Sequence, residues 1–465
     1  MTTLAARALA DAEPAPYWRD TVDLAADRPL LSGSDRADLV VVGGGFTGLW
    51  TAILAKQRDP DCDVLVLDAG EIGGAASSRN GGFVSDSLTH GLAHGIATWP
   101  DELEELLRLG RNNLAELAAF VRDEGIDADL RMCGKTAVAT RPHEVAYLEE
   151  AARQHERHGE TVRLLDREEM RADVNSPTYL AGMRVESGGG LVNPARLVSG
   201  LADAASRRGV RLSENSRVTD LQRDDRRVTV QTEQGAVLAR RVVLATNAFR
   251  PPLRRLRPWI VPVYDHVLVT EPLTTAQLDS IGWSQNQGMT DSGNQFHYYR
   301  RTPDDRILWG GYDAIYYFGG KTDAALEQRD RSHLLLAEQF HETFPQLESV
   351  RFTHRWAGLI DTTTRFTPVF GTALGGALAY AIGFTGLGVG ASRFGAQVAL
   401  DLVFGDSTPR TQLSMVHRRP IPFPPEPIRY AAVQATRAAL AREDRTGRRG
   451  VLLRVLDRFG VGFNS

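Results

Sequence analysis

Three glycines spaced as Gly43-x-Gly45-x-x-Gly48, with a carboxylate at Asp68, are the first residues of this chain whose types and spacing suggest chemistry. Such a set suits a nucleotide pyrophosphate. Gly43 permits a tight turn, Gly45 lets a phosphate approach the backbone, and Gly48 allows a helix to pack closely on the preceding strand. Asp68, 20 residues past Gly48, is placed to accept a hydrogen bond from a ribose hydroxyl. A plain turn closing a buried strand also uses glycine, and the two readings are compatible.

The elements that must position these residues are legible around them. Residues 37–42 (ADLVVV) read as a buried parallel strand, apolar without alternation, and 48–56 continue as a helix. The helix N-terminus offers free N–H groups and a partial positive charge to phosphates. CDVLVLDAG supplies a second strand ending on Asp68. Further on, Asn193-Pro194 opens a helix that leads to GVRLSENSRV (209–218) and an alternating hairpin. RRVVLATNA (240–248) is then a strand stopping on small and polar residues, Ala245, Thr246, Asn247 and Ala248. The segment 378–402 repeats the strand–glycine–helix pattern at Gly386, Gly388 and Gly390. A second dinucleotide turn for a nicotinamide is a poor reading there, because no strand ending in an acid follows.

Composition limits the rest. At 465 residues the chain exceeds what one core usually supports, so two domains are expected. The charge of −4, from 54 basic and 58 acidic residues, argues against a nucleic-acid binder. Cys62 and Cys133 are the only cysteines, which fits a reducing compartment. The N-terminal residues lack the pattern of a signal peptide, and residues 377–391 are too short and glycine-broken to span a membrane. A cytoplasmic, soluble protein is expected. His90 and His94 are four apart, but Gly91 intervenes and no third ligand is evident, so exposure rather than metal binding is expected.

The N-terminal fingerprint, the SSRNGG segment (77–82), the ATNA strand end and GFTGLGVG (383–390) together resemble the FAD-dependent D-amino-acid oxidase superfamily. Within it, the glycine/sarcosine oxidase and γ-glutamylputrescine oxidase branch is the most similar. The resemblance spans about residues 36–405. It implies an α/β fold (α+β overall), with a Rossmann-type FAD-binding domain of the glutathione reductase type and a substrate domain built on an antiparallel sheet. The FAD domain is expected from 36–90, 165–253 and 355–405, and the substrate domain from 91–164 and 254–354. Residues 406–465 form a basic tail, with eleven arginines against five acids from residue 405, expected to be helical and packed.

The resemblance also implies site residues. FAD would meet Gly43, Gly45, Phe46, Thr47, Gly48, Asp68 and Ala69 at the first turn. Ser77, Ser78, Arg79, Asn80, Gly81 and Gly82 would contact its pyrophosphate and ribityl chain, and the Val218 backbone its adenine. Ala245, Thr246, Asn247 and Gly358 complete the cradle, with Gly386, Leu387, Gly388 and Val389 against the flavin ring. A helix N-terminus there would stabilise the negative charge of reduced flavin. No histidine in 77–80 and no cysteine in 361–364 offers a covalent link, so FAD is expected to be non-covalent.

The substrate domain is less legible. Helical patterns at 101–123 and 143–158 flank a short strand at 134–140. Residues 260–273, 296–302 and 307–320 alternate as antiparallel strands do, and about half of their many aromatics should be core. Alternation places Tyr298 and Arg300 on one face, and His297 and Tyr299 on the other. Relatives that bind a carboxylate use arginine and tyrosine from such a sheet, making Arg300 or Arg301 with Tyr298 candidates; a surface-paired arginine is the alternative. His297 or His354 could assist oxygen reduction. Asp361 reads as a structural carboxylate.

The expected activity is oxidation of the C–N bond of an amine or amino acid to an imine, hydrolysed to an aldehyde or keto acid. Electrons would pass to O2, giving hydrogen peroxide. A dehydrogenase using another carrier and a non-catalytic flavin-binding subunit are the alternatives. The partners expected are a small-molecule amine and O2, with a homodimer possible and no metal, nucleic acid or membrane.

Overall fold

The computed structural model describes residues 3–23, 28–224 and 226–462. Two eight-stranded sheets organise them, and the two differ in how they bury their faces.

The first sheet runs in the order 369–373, 378–382, 235–244, 33–42, 64–67, 211–213, with the hairpin strands 227–232 and 218–224 attached to 235–244. Gly33–Val42 pairs in parallel with Gly235–Leu244 on one side and Val64–Leu67 on the other. These strands read as continuous apolar runs because both faces are covered. Leu39, Val41, Val64 and Val66 pack with the helices on one face, whereas Val40, Val42, Leu65 and Leu67 pack with Val228, Val230 and Leu256 on the other. Phe46–Arg58 and Gly388–Phe404 are the two helices that leave glycine turns. Between them in sequence, Pro194–Arg207 starts on Asn193, whose side-chain oxygen accepts from the Ala195 and Arg196 N–H groups at 3.1 Å each.

The second sheet has the order 352–362, 261–270, 307–311, 297–301, 288–291, 135–139, 181–185, 162–165. Its pairs are antiparallel apart from 288–291 with 135–139. One face is packed by the helix Asp330–Thr343, where Leu336 and Phe340 meet Trp309, Tyr299 and Trp283. The other face meets the loop at 79–82, with Tyr298 against Gly81 and Arg300 against Gly82. The sequence assigned 181–185 and most of 352–362 to the FAD-binding unit, but both pair in this second sheet. Local alternation identifies a strand and not its neighbours, which are set by pairing across the chain.

The tail is helical at Pro409–Gln412, Ser414–His417, Ile428–Thr446 and Val451–Arg458; its last three residues lie outside those described. It is tied down at several points. Asp444 accepts from the Asn294 and Gln295 N–H groups at 2.8 and 2.9 Å, and Tyr316 donates to Glu426. Both cysteines are free, Cys62 buried and Cys133 partly so. Among the described residues no helix is long and apolar enough to cross a membrane, and no cluster of three metal-ligating side chains occurs.

Candidate active site

The first glycine turn is built so tightly that glycine is compulsory at 43 and 48. Gly43 has φ 108°, and a Cβ there would strike the Ala245 carbonyl at the end of the neighbouring strand. A Cβ on Gly48 would strike the Gly43 carbonyl, and one on Gly45 would sit 2.8 Å from Ser77 Oγ. Asp68 accepts from Gly44 N at 2.7 Å with one carboxylate oxygen and from Gly70 N at 2.8 Å with the other, so it braces the turn. Burial raises its carboxyl, opposed by those two N–H groups. Ser216 N, two residues before Val218, donates to the Asp68 carbonyl at 2.6 Å. The approach to the strand Val218–Asp224 is thereby clamped to the acid.

The segment 76–82 forms the next wall. Ser77 Oγ accepts from Phe46 N at 2.9 Å, joining it to the first helix N-terminus. Asn80 holds the loop's own shape, donating to the Ala76 and Ser77 carbonyls and accepting from Gly82 N. Arg79 pairs with Glu327 and donates to the Gly74 carbonyl at 3.1 Å. Two fully buried indoles, Trp18 and Trp356, donate at 2.8 Å each to the Asn80 and Arg79 carbonyls. Trp356 was among the aromatics the sequence placed in the roof of the site, whereas Trp18, some 60 residues from the loop in a segment without any motif, was missed.

The second glycine turn is open. No atom lies within 4 Å of a Cβ built on Gly386 or Gly388, although Gly390 is pressed on the Ser85 carbonyl. Asp361 Oδ2 accepts from Gly383 N at 2.5 Å, and burial raises this carboxyl to about 6 against its backbone donors. It is committed to shaping the turn, as the sequence suggested. His90 and His94 are not exposed. His90 Nε2 lies 3.0 Å from the Thr385 carbonyl and His94 Nε2 3.0 Å from that of Arg365. Burial lowers His90 to about 4, so it is neutral. The polar side chains that sequence reading placed outside were drawn in to cap turn carbonyls.

These walls fit a dinucleotide. The first turn leaves phosphate access where side chains cannot exist, the second leaves free space at a helix N-terminus, and Thr246 Oγ1 beside the first turn is buried without a partner. Asn247 in the same strand end adopts φ 48° and donates to the Leu359 carbonyl at 3.2 Å. Gly358 places its backbone opposite the Arg79 carbonyl.

Tyr298 is the candidate from the second sheet that reaches this region. Its ring lies over Gly81, which has no room for a Cβ, and meets Phe83 edge-on at 5.8 Å. Its hydroxyl donates to Asp265 at 2.5 Å. Burial raises the Asp265 carboxyl to about 6, with the Tyr298 hydrogen bond opposing. Asp265 was not singled out in the sequence; the alternation of VYDHVLVTEPL marks its face without marking that face as functional.

The remaining candidates are placed elsewhere. Arg300 is fully buried beneath the loop, donating to the Val192 carbonyl at 2.7 Å and the Gly82 carbonyl at 3.1 Å, with Trp18 against its guanidinium. Burial lowers it to about 9. It fastens the FAD-side loop and has little of its fork left for a substrate carboxylate. His297 is on the opposite face of the sheet, stacked on Trp309 and hydrogen-bonded to Asp291 and Gln339 at 2.5 and 2.9 Å. Arg301 pairs with Asp305 on that same side, and His354 lies 2.8 Å from Asp20 in the N-terminal segment. One-residue alternation along 297–301 separates His297 and Arg301 from Tyr298.

A family model described as FAD dependent oxidoreductase (DAO) matches residues 38–402. γ-Glutamylputrescine oxidoreductase of Escherichia coli K12 is 31% identical over 84% of this chain and 89% of its own length. The probable oxidoreductase OrdL of Haemophilus influenzae is 27% identical over 84% and 88%. Glycine oxidase from Geobacillus kaustophilus superposes with a TM-score of 0.70 at 22% identity, covering 83% of this chain and all of that one. With a family model covering residues 38–402 and the glycine turns set where the fingerprint requires, the chain belongs to the DAO family of FAD-dependent oxidoreductases.

Proposed function

We propose that this enzyme oxidises the C–N bond of a small amine or amino acid, with O2 as electron acceptor and FAD held without a covalent bond. The observation that carries the reading is the apposition of Tyr298, from the second sheet, to Gly81 of the cofactor loop. It sets a half-accessible sheet face, including Asp265 and Ile360, beside that loop. The relatives named for amine substrates support the class of compound.

The chemistry FAD supplies when bound is acceptance of two electrons from the carbon beside the substrate nitrogen, and the imine left on the substrate is hydrolysed by water. The chain's residues do the rest. The N-terminus of Gly388–Phe404 directs its partial positive charge to the site, stabilising negative charge that develops there. The second sheet covers the site and excludes water, strengthening polar interactions within it. Tyr298 and Asp265 hold the substrate's polar end, while Trp18, Trp356 and Arg300 keep the loop at 76–82 in place.

The test is anaerobic mixing with a panel of amines and amino acids, followed by air. Loss of the visible flavin band and its return with stoichiometric peroxide are expected. If colour returns only with an artificial acceptor, the role of O2 falls; if no compound bleaches the protein, the amine reading falls. Acid precipitation should leave FAD in the supernatant, and a pellet carrying a flavin-sized mass on the intact chain would overturn non-covalent binding.

A further inference from the structure

Asp265 stands out among the acids of this chain. Its strand pairs it with Gly358, whose backbone faces the Arg79 carbonyl of the cofactor loop. The Tyr298 hydroxyl donates to Oδ2, and the tyrosine is itself slotted between Gly81 and Gly310, neither of which can carry a Cβ beside that ring. Four strands of the second sheet and the loop at 76–82 thus converge to fix one carboxylate. Among the described residues no arginine, lysine or histidine is paired with it. The nearby bases are committed: Arg79 to Glu327, Arg300 to two carbonyls, and His297 to Asp291 across the sheet.

A half-buried carboxylate without a cationic partner carries a desolvation cost that a compensating positive charge would relieve. We infer that Asp265, held by Tyr298, is the binding site for the substrate's ammonium group, and that the preferred substrate is an alkylamine without a carboxylate on the reacting carbon. An α-carboxylate would meet like charge at Asp265, and the basic side chains named above are already engaged. Selection against it is therefore electrostatic. Asp265 also accepts the ammonium proton: the N–H bond breaks, its electron pair stays on nitrogen, and the carboxylate becomes the acid. The amine is then neutral and its lone pair available. The inference rests on the amine reading above.

The experiment uses the FAD-loaded enzyme and three probes. tert-Butylamine has no hydrogen on the carbon beside nitrogen, so it binds without reacting. n-Butylamine and norvaline differ by one carboxylate on the reacting carbon. tert-Butylamine should perturb the flavin spectrum of the wild type, and Asp265→Asn should weaken its binding at least about tenfold, Tyr298→Phe by less. FAD content and thermal stability should be retained in both variants. n-Butylamine should reduce the wild type at least about 100-fold faster than norvaline, and Asp265→Asn should shrink that ratio at least about tenfold. Equal tert-butylamine affinity in wild type and Asp265→Asn, or none in the wild type, overturns the inference. So does a wild type reduced faster by norvaline, though C–N oxidation then stands. Failure of every amine and amino acid to reduce the flavin sinks the functional reading itself, a separable outcome.

Discussion

The two strand-to-helix glycine turns look alike in sequence and differ in what surrounds them. At residues 43–48 two fingerprint glycines are demanded by backbone atoms of the protein itself, Gly43 by the Ala245 carbonyl and Gly48 by the Gly43 carbonyl, while Gly45 meets only the Ser77 hydroxyl. At 386–388 a Cβ would meet no atom within 4 Å, so crowding does not demand glycine there; Gly386 is fixed instead by its backbone, with φ 93°, and Gly388 by neither. The first turn is glycine-rich because strand, helix and loop must close on one another. The second needs glycine at 386 for its backbone angle, and the free space at Gly388 has room for the expected cofactor. A glycine motif therefore has two physical sources, and the space around the missing Cβ separates them.

Substitutions can break or sharpen this contrast. The largest effect is expected for Gly48→Ala, where a methyl would overlap the Gly43 carbonyl in a packed core; more than about 3 kcal/mol should be lost, leaving insoluble or unfolded protein. Circular dichroism and solubility measure this, and a folded variant with wild-type melting would undo the argument. Gly45→Val comes next. Its neighbour is the far end of Ser77, so the fold should survive while pyrophosphate approach is blocked. Colourless, soluble protein is expected, and full FAD content would refute the fingerprint's role.

Gly388→Ala tests the other turn. With no atom within 4 Å, the FAD-free protein should melt within about 2 °C of wild type, while FAD binding weakens about tenfold by fluorescence titration. A destabilised FAD-free protein with unchanged FAD affinity would erase the difference between the turns.

Asp361 gives a smaller, pH-dependent effect. Its folded-state carboxyl, raised to about 6, lies above its unfolded value near 3.9, so the native state holds the proton more tightly. Stability from this group is present below about pH 4 and is lost as pH rises to 6, by about 1–2 kcal/mol. Asp361→Asn should flatten that part of the stability–pH curve, and an unchanged slope would assign it to other groups. Least of all should follow from His297→Gln on the far face of the second sheet, with kcat/KM within about threefold of wild type. A hundredfold loss would bring His297 back into the site.

The second sheet shows where sequence reading runs out. Its strands at 135–139, 297–301 and 307–311 and the helices before 158 were visible from alternation and helical period. That Arg300 would be spent on the Gly82 and Val192 carbonyls was not, because those partners lie 218 and 108 residues away. Asp265 was overlooked for the same reason: its hydrogen-bond partner, 33 residues on, is a strand in another hairpin.

By itself the sequence determined the parallel strands, both glycine turns, the acid at 68 and hence the kind of cofactor. These are local patterns, in which spacing along the chain equals spacing in the turn or helix. Only the tertiary structure decided which sheet 181–185 and 352–362 join, which side of the second sheet meets the loop at 76–82, and that Arg300 is spent on backbone carbonyls while Tyr298 meets Asp265. Those outcomes depend on strand pairing and burial between distant segments, where a one-residue change of register turns a side chain from one face of the sheet to the other.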